Sequence, residues 1–175
     1  MIMAALKLTH RFDADSCRHY IGDLVSVLHC HHYATLFTQL AIDSRDLVDG
    51  IRILREVTED VVHGVLKGYF AQNGIADAAE RLALGQQLFS FYGMGKMSLV
   101  APGAGGGTVE MGTAHVDEGW KKKWGKAAAP VNHIGAGFIA GLFASAYDKP
   151  PRSYKVEEKQ SRAMGADKSV FAVSL

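Results

Sequence analysis

Chemistry is most concentrated in the run Leu28-His29-Cys30-His31-His32-Tyr33, which gathers three imidazoles, a thiol and a phenol. On a helix, His29 and His32 are three residues apart and His29 and Tyr33 four, so they share a face with Val25 and Leu36. Polar groups set into an apolar stripe require partners, because unpaired burial costs about 2 kcal/mol or more. A metal ion, a polar ligand or a hydrogen-bond network would each satisfy them. Imidazole ligates zinc, iron, copper and nickel. Cys30 and His31 would point elsewhere on a straight helix, so a mononuclear centre needs a ligand from another element. His115 and Glu110, on an expected strand, and His133 are the candidates, with His115 first. A second set, Glu56, Glu59, Asp60 and His63, has the spacing of helical carboxylate–histidine sites. It occurs once and lies off the apolar stripe of its segment, so it reads as a solvated charged face. The chain contains no Gly-x-Ser-x-Gly, His-Glu-x-x-His or Cys-x-x-Cys, and the nucleophile and metalloprotease readings lack support.

These groups must be held by elements that the pattern of residues outlines. Asp13 to Ser16 offers N-cap chemistry for a helix to about Asp43, with the stripe Ile21, Leu24, Val25, Leu28, Leu36 and Leu40. A second helix carries Leu47, Ile51, Leu54, Val61, Val65 and Tyr69, and Asn73-Gly74 ends it. A third runs from about Asp77 to Phe91. Strands follow at Lys96 to Ala101 and Thr108 to Val116, joined through Pro102 and the glycines between Gly103 and Gly107. No Gly-Lys-Ser/Thr follows those glycines, so they read as a hairpin tip and not a phosphate loop. A short helix holds Trp120 and Trp124, and another begins near Pro130 and runs to Ala146. Tyr154 to Arg162 and Ser169 to Val173 close the chain as a hairpin around Gly165. The expected class is α+β: N-terminal helices, then an antiparallel sheet with helices packed on one face.

At 175 residues, with 48% hydrophobic and 21% charged residues, the chain fits one globular domain. It divides into a helical region, 1–93, and an α+β region, 94–175. Nineteen Lys and Arg against eighteen Asp and Glu leave no global field for nucleic acid or an anionic membrane. Lys121 to Lys123 read as a solvated helix face between inward-packing tryptophans. Cys17 and Cys30 would sit about 20 Å apart on one helix, and two reduced thiols suit a cytoplasmic protein. Met1 to Leu8 is too short for a signal peptide or a span, as is the apolar stretch from Ile134 to Ala146.

A further pattern runs through the C-terminal half: Pro130-Val131-Asn132, Gly137-Phe138-Ile139-Ala140-Gly141, then Glu158, Ser161, Arg162-Ala163-Met164-Gly165 and Ser169-Val170-Phe171. From about Met94 to Val173 the chain resembles the 4-vinyl-reductase domain family, which includes hydrocarbon-binding proteins and phenol-sensing activators. The resemblance implies an α+β fold, a homodimer and an apolar pocket between helices and sheet, with His115 in the pocket-lining segment. It also implies a structural zinc, but the family's cysteines fall here at Asn132, Ser161 and Ser169, beside Glu158. Without thiolates that zinc site is expected to be lost. Gly137, Gly141 and Ser145 would let their helix approach a neighbour or a ligand closely.

The expectation is therefore a module that binds a small, largely apolar or aromatic molecule. The ligand contacts fall to His29, His32, Tyr33, His115, Trp120 and Phe138, with His29, His32 and His115 as ligands of a transition metal. The alternatives are a metal-dependent enzyme and a tetrapyrrole carrier with an axial histidine such as haem proteins use.

Overall fold

In the computed structural model, residues 5–175 are described; the first four residues of the apolar start, Met1 to Ala4, lie outside them. Three short antiparallel strands come first: β1 (His10–Asp13), β2 (Arg18–Ile21) and β3 (Leu24–Ser26). The expected long first helix is not formed, and the reason lies in its supposed N-cap. Asp13 Oδ1 accepts from the backbone N–H groups of Asp15 and Ser16, closing a turn, and Cys17 takes a φ of 53°, which no helix allows. Gly22, at φ 56°, makes the next turn. Helix α1 (His31–Asp43) starts only after these strands, with Cys30 as its N-cap residue.

That late start changes which side chains α1 buries. Its inner positions are Ala34, Thr35, Thr38 and Ala41. Val25, Leu28, Leu36 and Leu40, expected inside, are exposed, with Tyr33 and Phe37 beside them. Cys17 and Cys30 are both free and exposed, one in a strand turn and one at the helix start.

After a short 3-10 turn at Ser44–Asp46 comes α2 (Gly50–Asn73), capped by Asp49 and closed by Gly74 in the left-handed conformation. Its buried face is Glu59, Val62, Leu66 and Phe70. Of the expected stripe, Val65 and Tyr69 pack against the main core and Ile51 and Leu54 are half-buried, but Leu47 and Val61 are exposed. Helix α3 (Ala78–Phe91) follows, with Asp77 Oδ1 accepting from Glu80 N.

The C-terminal half has β4 (Gly95–Gly103), β5 (Gly106–Ala114), α4 (His115–Trp124), α5 (His133–Ala146), β6 (Lys155–Gln160) and β7 (Ser169–Ser174). The four strands form an antiparallel sheet in the order β4-β5-β7-β6. Alternation sets its inner face: Val109 and Met111 on β5 and Phe171 and Val173 on β7 are buried. Helix α5 is buried along its whole length, lying in one core with that face, α2 and α3. Gly137 and Gly141 make this possible. A Cβ on Gly137 would lie 2.5 Å from the Arg55 carbonyl oxygen, and one on Gly141 2.7 Å from that of Glu59. Among the described residues, no helix is long and apolar enough to cross a membrane.

Candidate functional site

The residues expected to form one site occupy three places. His115 is not on a strand but opens α4, its backbone N–H donating to the Met94 carbonyl at 2.9 Å. There it meets the start of α1. Helices α1 and α4 can approach because Gly119 lies against the His31 carbonyl and the Thr35 hydroxyl. The His115 ring lies edge-on to His29 and to His31, each 5.9 Å away between centroids. Tyr33 stands 5.5 Å from His29 and 4.9 Å from Phe37.

Within this group, the inward imidazole is His31, which helical phase had excluded, and not His32. Because the helix begins at His31, that side chain turns toward α4, while His29, His32 and Tyr33 are exposed. His32 instead lies against His31 at 4.2 Å. The Nε2 atoms of His31 and His115 are buried and have no hydrogen-bond partner. Desolvation, the like charges of neighbouring histidines and, for His31, Lys122 hold both rings below the usual histidine pKa. Both are therefore neutral at pH 7, each with a nitrogen able to donate or accept. Among the described residues, no group of three or more His, Cys, Asp or Glu side chains is placed to hold a metal ion.

Trp120 and Phe138 lie apart from these imidazoles. Trp120 packs with Ile42 against Ala127, Val131 and Ala163, and lies tilted against Trp124 with ring centroids 4.8 Å apart. Phe138 belongs to the main core, edge-on to Phe89 at 4.9 Å. The triplet Lys121, Lys122 and Lys123 is exposed, with Lys123 over the Trp124 ring.

The positions aligned with the family's zinc ligands do converge. Ser169 Oγ donates to Asp117 Oδ2 at 2.9 Å and accepts from Arg162 N. Asn132 N donates to Glu158 Oε2 at 3.4 Å, while its side chain caps α5 through Gly135 N. Burial raises the Asp117 pKa to about 6. Burial, with the Asp117 charge beside it, raises that of Glu158 to about 7. Glu158 is thus no ordinary strand carboxylate. Two acids, two hydroxyls and an amide, with Arg162 alongside, lack the thiolates of a structural zinc and do not fit one. Asp117 was missed because an acid in the first turn of a helix normally reads as a solvated dipole partner.

Polar chemistry continues to α2. His133, buried at the start of α5, accepts from Arg55 Nη2 through Nδ1 at 3.3 Å. Burial and the Arg55 charge press its pKa down to about 4. Of the charged set on α2, Glu59 is buried and not solvated. It accepts from Arg152 N at 2.6 Å, and Asp60 pairs with the Arg152 guanidinium. His63 meets the Lys149 carbonyl.

No protein-family model matches the sequence, and no curated protein does. Solved structures do match. The phenol-responsive sensory domain of the transcription activator PoxR, determined with phenol, aligns at TM-score 0.77 and 13% identity, over 94% of this chain and 84% of that one. A vinyl-4-reductase family protein from Methanocaldococcus jannaschii aligns at TM-score 0.57 and 16% identity, over 85% and 83%. A trafficking protein particle complex subunit 3 from Naegleria fowleri, covalently bound to palmitic acid, aligns at 0.55 and 14%, over 82% and 90%. At such identities the likeness is one of fold, and the chain has the α+β fold these three proteins share.

Proposed function

We propose that the chain is a 4-vinyl-reductase-type module that binds a small, largely apolar or aromatic molecule carrying one hydrogen-bonding group. The ligand is held where α1 meets α4. The observation that carries this reading is the pair of buried, unpartnered nitrogens, His31 Nε2 and His115 Nε2. A hydroxyl presented between them would donate to one neutral imidazole and accept from the other, offsetting two desolvated groups at once. Tyr33, Phe37 and the ring of His29 supply aromatic surface beside them. The fold shared with a phenol-responsive domain supports the ligand class. An organic ligand is preferred to a histidine-bound transition metal, because among the described residues the imidazoles form no three-ligand set.

The module acts as a homodimer in this reading. Leu36, Phe37 and Leu40 form an exposed apolar row on α1, which a second copy would cover, adjacent to the ligand site. A calorimetric titration of the purified protein with phenol, with toluene as the control, tests the assignment. Saturable phenol binding that is lost in His115→Ala supports it. Equal binding of phenol and toluene, or unchanged binding by the variant, refutes it.

A further inference from the structure

A cleft of about 510 Å³ opens between α2, α5 and the edge strand β6. Its apolar wall includes Ile51, Ala136, Ala140 and Val156, and its charged residues are arranged unevenly. Arg52 is paired with Asp49 and Glu56, Arg152 with Glu59 and Asp60, and Lys155 with Glu157. Arg55, which also lines the cleft, has no carboxylate partner among the described residues. Its guanidinium meets only neutral acceptors at long range, the Val156 carbonyl at 3.5 Å and His133 Nδ1 at 3.3 Å. Its buried Nε has no partner.

A half-buried guanidinium with no carboxylate in direct contact is costly: desolvation weakens its hold on the proton more than the more distant charges of Glu158, Asp49 and Glu157 restore it. His133 supplies no counter-charge: it is held neutral beside Arg55, and its protonated form would be a second cation. The planar fork of arginine matches a carboxylate with two parallel N–H donors. An acid bound there would supply the missing charge, and an apolar body would cover Ile51, Ala136, Ala140 and Val156. The carboxylates on the cleft rim are engaged elsewhere: Asp49 and Glu56 with Arg52, Glu59 with Arg152, and Glu157 with Lys155 and Lys159.

We infer that the α2–α5–β6 cleft is a second ligand site, taking a small organic acid with an apolar body whose carboxylate pairs with Arg55. It is separate from the α1–α4 junction, and each can fail without the other.

The test is calorimetric titration of the full chain with benzoate and with benzamide, its neutral counterpart of similar shape. Benzoate is expected to bind one per chain, at least about tenfold more tightly than benzamide, the worth of one charged hydrogen-bonded contact. Arg55→Gln should remove that preference, Arg55→Lys should keep part of it, and His115→Ala should leave it unchanged. The comparison of the two probes on unaltered protein stands even if Arg55→Gln fails to fold. Equal binding of the probes, no benzoate binding, or full benzoate binding by Arg55→Gln would overturn the proposal. So would displacement of benzoate by inorganic phosphate at equal concentration, which would mark the cleft as selecting charge alone.

Discussion

The Oγ of Ser169 donates to Oδ2 of Asp117 at 2.9 Å, joining the last strand to the first turn of α4 at a fully buried point. Ser169 is set inward by the same alternation that buries Phe171 and Val173 on β7. Asp117 is carried there because α4 begins at His115, directly after β5. The bond thus ties sheet to helix, and it leaves two acids, Asp117 and Glu158, sharing one buried pocket.

That pocket sets a pH dependence. Glu158 is raised from 4.5 to about 7 by burial first and by Asp117 second. The folded state therefore holds its proton more tightly than the unfolded chain does. Its contribution is full below pH 4.5 and is lost as pH rises through 7, by roughly 2–3 kcal/mol. Glu158→Gln keeps the shape and removes the ionisation. Urea unfolding should find this variant more stable than the parent at pH 8 and little different at pH 4.5. A variant that is equally destabilised at both values would show that the carboxylate is needed as an anion.

Close packing of α2 on α5 should be equally measurable. Ala is the better helix former by about 1 kcal/mol, yet Gly141→Ala would press a methyl against the Glu59 carbonyl and the Val62 side chain. A net loss of about 1–2 kcal/mol is expected, as overpacking typically costs. Gly68→Ala, on α2 with nothing within 4 Å of its Cβ position, should stabilise instead. Thermal melting of the two variants with opposite signs checks the contact.

In the proposed homodimer, the exposed row on α1 is the surface that the second copy covers. Leu40→Glu places a charge in that row without touching the inward Ala34, Thr35, Thr38 and Ala41. Light scattering should show a dimer for the parent at micromolar concentration and a monomer for the variant. A monomeric parent would remove this part of the proposal.

The chain from the end of α2 onward was legible because its signals are local. Asn73-Gly74, Asp77 and the alternation of Val109, Met111, Phe171 and Val173 each fix an element from neighbouring residues alone. The N-terminal region misled for a physical reason. The spacing of Ile21, Leu24, Val25 and Leu28 suits a helix, but the Asp13 side chain closes a turn and the chain enters strands before α1. That moved the helix start to His31, so the inward imidazole became His31 and the expected His32 and Tyr33 turned outward. The joining of His31 to His115 is a tertiary contact through Gly119. The buried acids and the lone Arg55 are likewise set by neighbours distant in the chain, which no local pattern announces.

In the proposed module, His31 and His115 hold neutral imidazoles whose Nε2 atoms meet the ligand. Long-range ¹H–¹⁵N spectra of the histidine rings, recorded at pH 7 with and without phenol, test it most directly. Both rings should be neutral before addition, since desolvation lowers their pKa values below 6.5. Phenol should then shift the Nε2 resonances of His31 and His115 while leaving His63 and His133 in place. Acidification through their depressed pKa values should protonate the free rings and weaken binding, because a charged imidazole can no longer accept the phenol proton. Rings already protonated at pH 7, or Nε2 resonances of His31 and His115 that do not move at saturating phenol, would contradict the account.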